Sequence, residues 1–255
     1  MDQIGSSDPT SWRGRPLTLA VALTVAVIGS PSLTKAAGNV TVQEIRGELR
    51  ITGDDEANLI SLVSEGAGQV EVGSFDPAGT INHVTGGIFL AQGVKDIAVS
   101  LRAGDDVVNL LDVFAPGHLR IDTGRGNDTI NGQDSSAGAL HISTGQGDDT
   151  ILWNGATFGS LRICTGAGAD ELTLISVDVT GDASIDTGSG PDRIDSVVQK
   201  FGGRVKVATE TGDDTIALDS TLFDGHAMFD GGGGSDTFDP GQSTFNGGVT
   251  TKNFP

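Results

Sequence analysis

The chain has 255 residues, 39 of them glycine, with ten Phe, two Trp and no Tyr, which argues against an ordinary aromatic-rich globule. Its 34 acidic residues against 15 basic ones give a formal charge of −19, which excludes nucleic acid as a natural partner and favours a cation. A single cysteine, Cys164, rules out an intramolecular disulfide.

In chain order, Arg13 and Arg15 precede the apolar run Pro16 to Gly29, and the small-residue stretch Ser30 to Gly38 follows. This is the layout of a secretory signal over residues 1–36, with cleavage expected after Ala36 and an uncleaved anchor as the alternative. The run is too short for a comfortable membrane span, so no stable span is expected in the mature chain. A secreted or cell-surface protein would meet abundant calcium.

From residue 97 the chain repeats. Aspartates recur at 106, 128, 149, 170, 192, 214 and 236, at spacings of 21 or 22. Two places after each stands an aliphatic or aromatic residue: Val108, Ile130, Ile151, Leu172, Ile194, Ile216 and Phe238. Seven places before stand Val99, Ile121, Ile142, Ile163, Ile185, Val207 and Phe229, and two further back Ile97, Leu119, Leu140, Leu161, Ala183, Val205 and Ala227. Columns in step at such a period indicate a solenoid. Within each unit "LRIDTG" alternates apolar and polar as a half-buried strand does, and "DTIN" opens a second strand. A third short segment often carries Phe, as at Phe158, Phe201 and Phe223. The expected fold is all-β, a single-domain parallel β-helix whose coils bury one continuous core by stacking.

The apolar frame extends backwards without the acidic turn. Gly47, Leu49, Ile51 and Ile60 fit the same offsets, with Asn58 at the aspartate position. Gly68, Val70, Val72 and Ile81 fit again, with Gly79 there. Nine coils are therefore expected: degenerate ones over 37–99, acidic ones over 100–240, and a cap or tail over 241–255.

The stretch "GGGGSDTF", Gly231 to Phe238, resembles the G-G-x-G-x-D-x-U unit of hemolysin-type (RTX) calcium-binding repeats, and the other turns read mostly T-G-x-G-x-D-x-I or L. The resemblance implies Ca2+ held between neighbouring coils. Its ligands would be Asp106, Asp128, Asp149, Asp170, Asp192, Asp214 and Asp236, with carbonyls around Gly126, Gly147, Gly168, Gly190, Gly212 and Gly234. The scaffold departs from that family: one edge only carries the turn, the coil is 21–22 residues long, and Arg102 and Glu210 replace a glycine of the unit.

Electrostatics independently favours a cation. Carboxylates stacked ~4.8 Å apart repel by ~1 kcal/mol in water and by ~3.5 kcal/mol at an effective dielectric of about 20. Calcium takes six to eight oxygens and would relieve this, with Asp105, Asp148 and Asp213 as second acidic groups and up to six gaps to fill. The plain alternative is a tight turn whose aspartate bonds nearby backbone amides.

The remaining candidates weigh less. Thr123, Thr144, Thr165, Thr187 and Thr209 form a column facing the corner of the core, and Trp153 falls in the core column of Leu110, Leu174 and Leu218. Arg50, Arg120, His141, Arg162 and Lys206 share one outward column. They read as a solvated face balancing the acidic turns, or as the base of a calcium-dependent polysaccharide lyase. Cys164 is outward with no His nearby in sequence. The expectation is a non-enzymatic calcium-binding structural or adhesion module, with glycan or cell-surface components as the partner classes.

Overall fold

The computed structural model describes residues 38–64, 66, 68–75 and 78–255; the secretory segment expected over 1–36 lies outside the described residues. The described chain is all-β, a parallel solenoid with no helix. Residues 21 or 22 apart become lateral neighbours, so each apolar column in sequence becomes a column in the core.

Three ladders run along the stack. In the first, Leu49, Ile97, Leu119, Leu140, Leu161, Ala183, Val205, Ala227 and Val249 stand in register. The second carries Ile60, Val108, Ile130, Ile151, Leu172, Ile194, Ile216 and Phe238. The third carries Ala115, Ala137, Phe158, Val179, Phe201, Phe223 and Phe245. Nearly all the inward residues of these ladders are fully buried. The phenylalanines of the third stack face to face, Phe201 on Phe223 at 5.3 Å and Phe223 on Phe245 at 4.8 Å between centroids. Offset stacking of this kind adds about 1 kcal/mol per pair beyond the area buried.

Trp153 lies wholly in the core, as its column demands. The coil before it contributes Gly132 to the same column, where any Cβ would overlap the indole ring. A missing side chain in one coil thus houses an oversized one in the next, which keeps the core filled.

The solenoid has about seven full turns, not nine. The first degenerate coil is present: Leu49 pairs with Ile97, Ile51 with Val99 and Ile60 with Val108. The second is not a coil. Val70 and Val72 lie in the strand Gln69–Ser74, which runs antiparallel to Leu59–Ser64 and to Ile88–Gln92. Both residues are buried, because an antiparallel strand with one covered face alternates like a coil strand. The off-period step of 27 from Val70 to Ile97 was the signal that separated the two. With Asn39–Ile45, which pairs antiparallel to Glu48–Thr52, these strands cover the starting edge of the first two ladders. At the other end Thr244–Phe245 and Val249–Lys252 continue the ladders.

Candidate metal-binding turn column

Each coil leaves its first ladder by a turn with two left-handed positions, four and two residues before the aspartate. Glycines fill nearly all of them, and Arg102 and Glu210 adopt the same backbone, with φ of 78° and 56°. Left-handed backbone is one reason for glycine; contact is the other. A Cβ on Gly147 would overlap the carbonyl oxygen of Gly126, and the same holds for Gly168 on Gly147, Gly190 on Gly168, Gly212 on Gly190 and Gly234 on Gly212. The six glycines that the sequence singles out thus form one column in which each carbonyl points at the next α-carbon.

The seven aspartates form the adjacent column, and all are buried, at 3% exposure or less. Their environment follows a single rule. The backbone amide of Asp106 donates to Asp128 Oδ1 at 2.8 Å, that of Asp128 to Asp149 Oδ1 at 2.8 Å, and that of Asp149 to Asp170 Oδ1 at 2.9 Å. The series continues through Asp170 to Asp192 at 3.0 Å, Asp192 to Asp214 at 2.8 Å and Asp214 to Asp236 at 3.0 Å. It begins at Asn58, whose amide donates to Asp106 Oδ1 at 2.7 Å. The plain alternative therefore holds in a modified form: the aspartates bond backbone amides, but those of the preceding coil.

A second column runs the other way. The amide of Asn127 donates to Asp105 Oδ1 at 2.8 Å, Asp148 to Asn127 Oδ1 at 2.9 Å, Ala169 to Asp148 Oδ1 at 2.8 Å and Ser235 to Asp213 Oδ1 at 2.8 Å. The inner carboxyls cap turn amides one coil back and the outer ones cap amides one coil forward.

The other oxygen of each inner aspartate, Oδ2, is buried without a hydrogen-bond partner in all seven. The threonine column stands against these carboxyls, fully buried as its parity requires. Its hydroxyls are close enough to draw the carboxyl pKa down but do not reach hydrogen-bond geometry with Oδ2. Thr144, Thr165 and Thr209 donate instead to the carbonyls of Thr165, Thr187 and Gly231 in the next coil.

Burial dominates the ionisation of the column. Desolvation pushes Asp106 up to about 8, Asp149 and Asp192 to about 7, and Asp128 to about 6, against the amide and threonine contacts that favour the charged form. Asp170 and Asp214 are raised for the same reason. A buried carboxyl oxygen with no partner, repeated in seven successive turns, calls for either a proton or a cation.

Among the described residues no three His, Cys, Asp or Glu side chains converge as a metal cluster, so any cation would draw on aspartates of successive coils and on turn carbonyls. The donors are all hard oxygens, which suits calcium and not zinc or copper. Cys164 is half-buried on the outer face between Ser143 and Asp186 of adjacent coils. Sequence reasoning did not reveal the amide-to-Oδ1 bonds. The signal was present in the strict 21–22 spacing, which sets every aspartate against the amide of the previous one. Among the described residues no helix is long and apolar enough to cross a membrane. No protein-family model matches the chain, and neither a curated protein nor a solved structure shows a match to it.

Proposed function

We propose that the protein is a secreted β-solenoid module whose aspartate column takes up Ca2+ between stacked turns, giving a rigid structural or adhesive rod. The observation that carries this reading is the column of seven buried, unpartnered Oδ2 atoms. Asp106, Asp128, Asp149, Asp170, Asp192, Asp214 and Asp236 would hold the ion, with the carbonyls of Gly126, Gly147, Gly168, Gly190, Gly212 and Gly234 beside them. A divalent cation would supply charge neutralisation, offsetting the desolvation that raises the carboxyl pKa of Asp106, Asp128, Asp149, Asp170, Asp192 and Asp214.

The chain's own contribution is independent of the ion. Each Oδ1 holds the amide of the preceding turn, so consecutive turns are locked in register before any cation arrives. Binding of calcium to the folded form alone stabilises by mass action, about 2.7 kcal/mol per site at a hundredfold excess over Kd. Thermal unfolding in EDTA, in millimolar calcium and in magnesium tests the reading. A calcium-specific rise in midpoint is expected; equal midpoints in all three would overturn it and leave the column as a proton-holding structural ladder.

A further inference from the structure

The outward face of the first ladder carries Asp122, Asp182 and Asp186 at its margins, yet its centre differs from the rest of this acidic molecule. Its central column reads Arg120, His141, Arg162, Ser184, Lys206 and Met228 in consecutive coils, with no carboxylate among them. In a chain with more than twice as many acids as bases, a cation without a carboxylate partner is unexpected. Yet Arg120, Arg162 and Lys206 take part in none of the ion pairs among the described residues, whereas nearby Arg204 pairs with Asp182 at 3.2 Å. His141, stacked between two arginines, is held below the ordinary histidine range by burial and by the charges of Arg162 and Arg120, against the opposing pull of Asp122.

Arg120, Arg162 and Lys206 stand two coils apart, roughly 9.6 Å at ~4.8 Å per coil, so their like charges oppose each other weakly and an anion placed between two of them would be attracted by both. Ser184 shapes the place for one. Its short side chain between Arg162 and Lys206 opens a shallow concavity of about 460 Å³, bounded also by His226, Met228 and the Arg204–Asp182 pair, in which the one lining carboxylate is already matched by a guanidinium.

We propose that this face binds a linear acidic polysaccharide lying along the stack, with one anionic substituent seated over Ser184 between Arg162 and Lys206. The cationic positions recur along the axis over five coils, roughly 19 Å at ~4.8 Å per coil, which matches an extended polyanion better than a single small anion. Arginine pairs carboxylate or sulfate by two parallel hydrogen bonds, while the Ser184 hydroxyl offers a hydrogen bond to a ring hydroxyl. An acidic peptide fits less well. Peptides add to sheets at unpaired edges, and the strand that bears Ser184 is paired on both sides. Nucleic acid would need stacking aromatics and a broad positive field, and no aromatic stands in this outward column.

The test is titration calorimetry on the full chain in EDTA at low salt, so that calcium bridging plays no part and the outcome is separate from that of the aspartate column. The probes are hexagalacturonate for carboxylate and a short dextran sulfate for sulfate, with poly-glutamate and a neutral oligosaccharide alongside. Binding of either acidic glycan, weakened at least tenfold in R162Q/K206Q and in S184E but not in the charge-matched R46Q/R125Q, is the expected result. The tighter glycan identifies the anionic group. These side chains lie on the surface, so the variants should melt with the parent, which separates lost binding from lost fold. No binding of either glycan, equal binding of poly-glutamate, or binding indifferent to R162Q/K206Q would overturn the proposal.

Discussion

Asp149 and Asp128 are joined by one hydrogen bond, from the backbone amide of Asp128 to Oδ1 of Asp149 at 2.8 Å. Both residues are about 1% exposed, so this amide has no water to fall back on. Asp149→Ala should cost about 1–3 kcal/mol, the penalty for a buried donor left unmade. Asp149→Asn keeps the acceptor and removes the charge. In EDTA at neutral pH it should melt at or above the parent, and in calcium it should gain less than the parent does. Thermal scans of both variants with and without calcium measure this directly; an Asn variant as damaged as the Ala variant would show that the carboxylate, not the acceptor, holds the turn.

Stability in EDTA should fall as pH rises. Burial raises the folded pKa of Asp106 to about 8, of Asp149 and Asp192 to about 7 and of Asp128 to about 6. An unfolded aspartate releases its proton near pH 3.9, roughly. Between about pH 4 and 8 the folded chain therefore binds more protons than the unfolded one, and unfolding free energy declines with pH across that window. Urea midpoints at several pH values check the sign. A midpoint that climbs through this range in EDTA would mean that the column is ionised and well compensated. With calcium the decline should flatten, since the ion competes with protons for the same oxygens.

Two glycines of similar turns should respond oppositely to alanine. Gly147 has φ of 129° and faces the Gly126 carbonyl where a Cβ would sit. Gly147→Ala should therefore cost at least about 2 kcal/mol in strain and displaced stacking. Around Gly233 nothing lies within 4 Å of an added Cβ and φ is not left-handed. Gly233→Ala should be neutral or stabilising by up to about 1 kcal/mol, because alanine has fewer unfolded states to lose. Chemical denaturation of the pair isolates contact between coils from glycine content.

Val198 offers a stabilising change. It sits at a corner where Asp112, Asp134, Gly155, Ser176 and Ser220 also take positive φ, in its case 51°, and its side chain is 56% exposed. A β-branched residue in left-handed backbone is strained, and here no burial offsets it. Val198→Gly, the residue found at position 155, should raise stability by about 1 kcal/mol. An unchanged midpoint would show that the corner relaxes around valine.

The solenoid was legible because its information is periodic. Leu119, Leu140 and Leu161 declare the same column three times, and the threonine and tryptophan positions follow from parity alone. Val70 and Val72 misled because two buried valines one residue apart describe any strand covered on one face. Whether that strand runs with or against its neighbours depends on a reversal near Gly66 and Gly68, and no column marks it. The aspartates were legible as a column, but the direction of their hydrogen bonds was not. The amide that each Oδ1 accepts belongs to a residue 21 or 22 positions away, and a turn motif speaks only of neighbours in sequence.

The starting edge of the ladders bears strands that run against the coils, Asn39–Ile45 on one and Gln69–Ser74 on another, while Val249–Lys252 continues the coil direction with all four residues exposed. Such a rod is a ruler with a fixed zero. Inserting or deleting one 21- or 22-residue unit downstream of that zero would move every later residue by ~4.8 Å along the axis and disturb no contact inside any coil. A cut of any other length would set aspartates against the wrong amides. Duplication in whole units is the change this architecture absorbs, which makes reach adjustable without redesigning the turn.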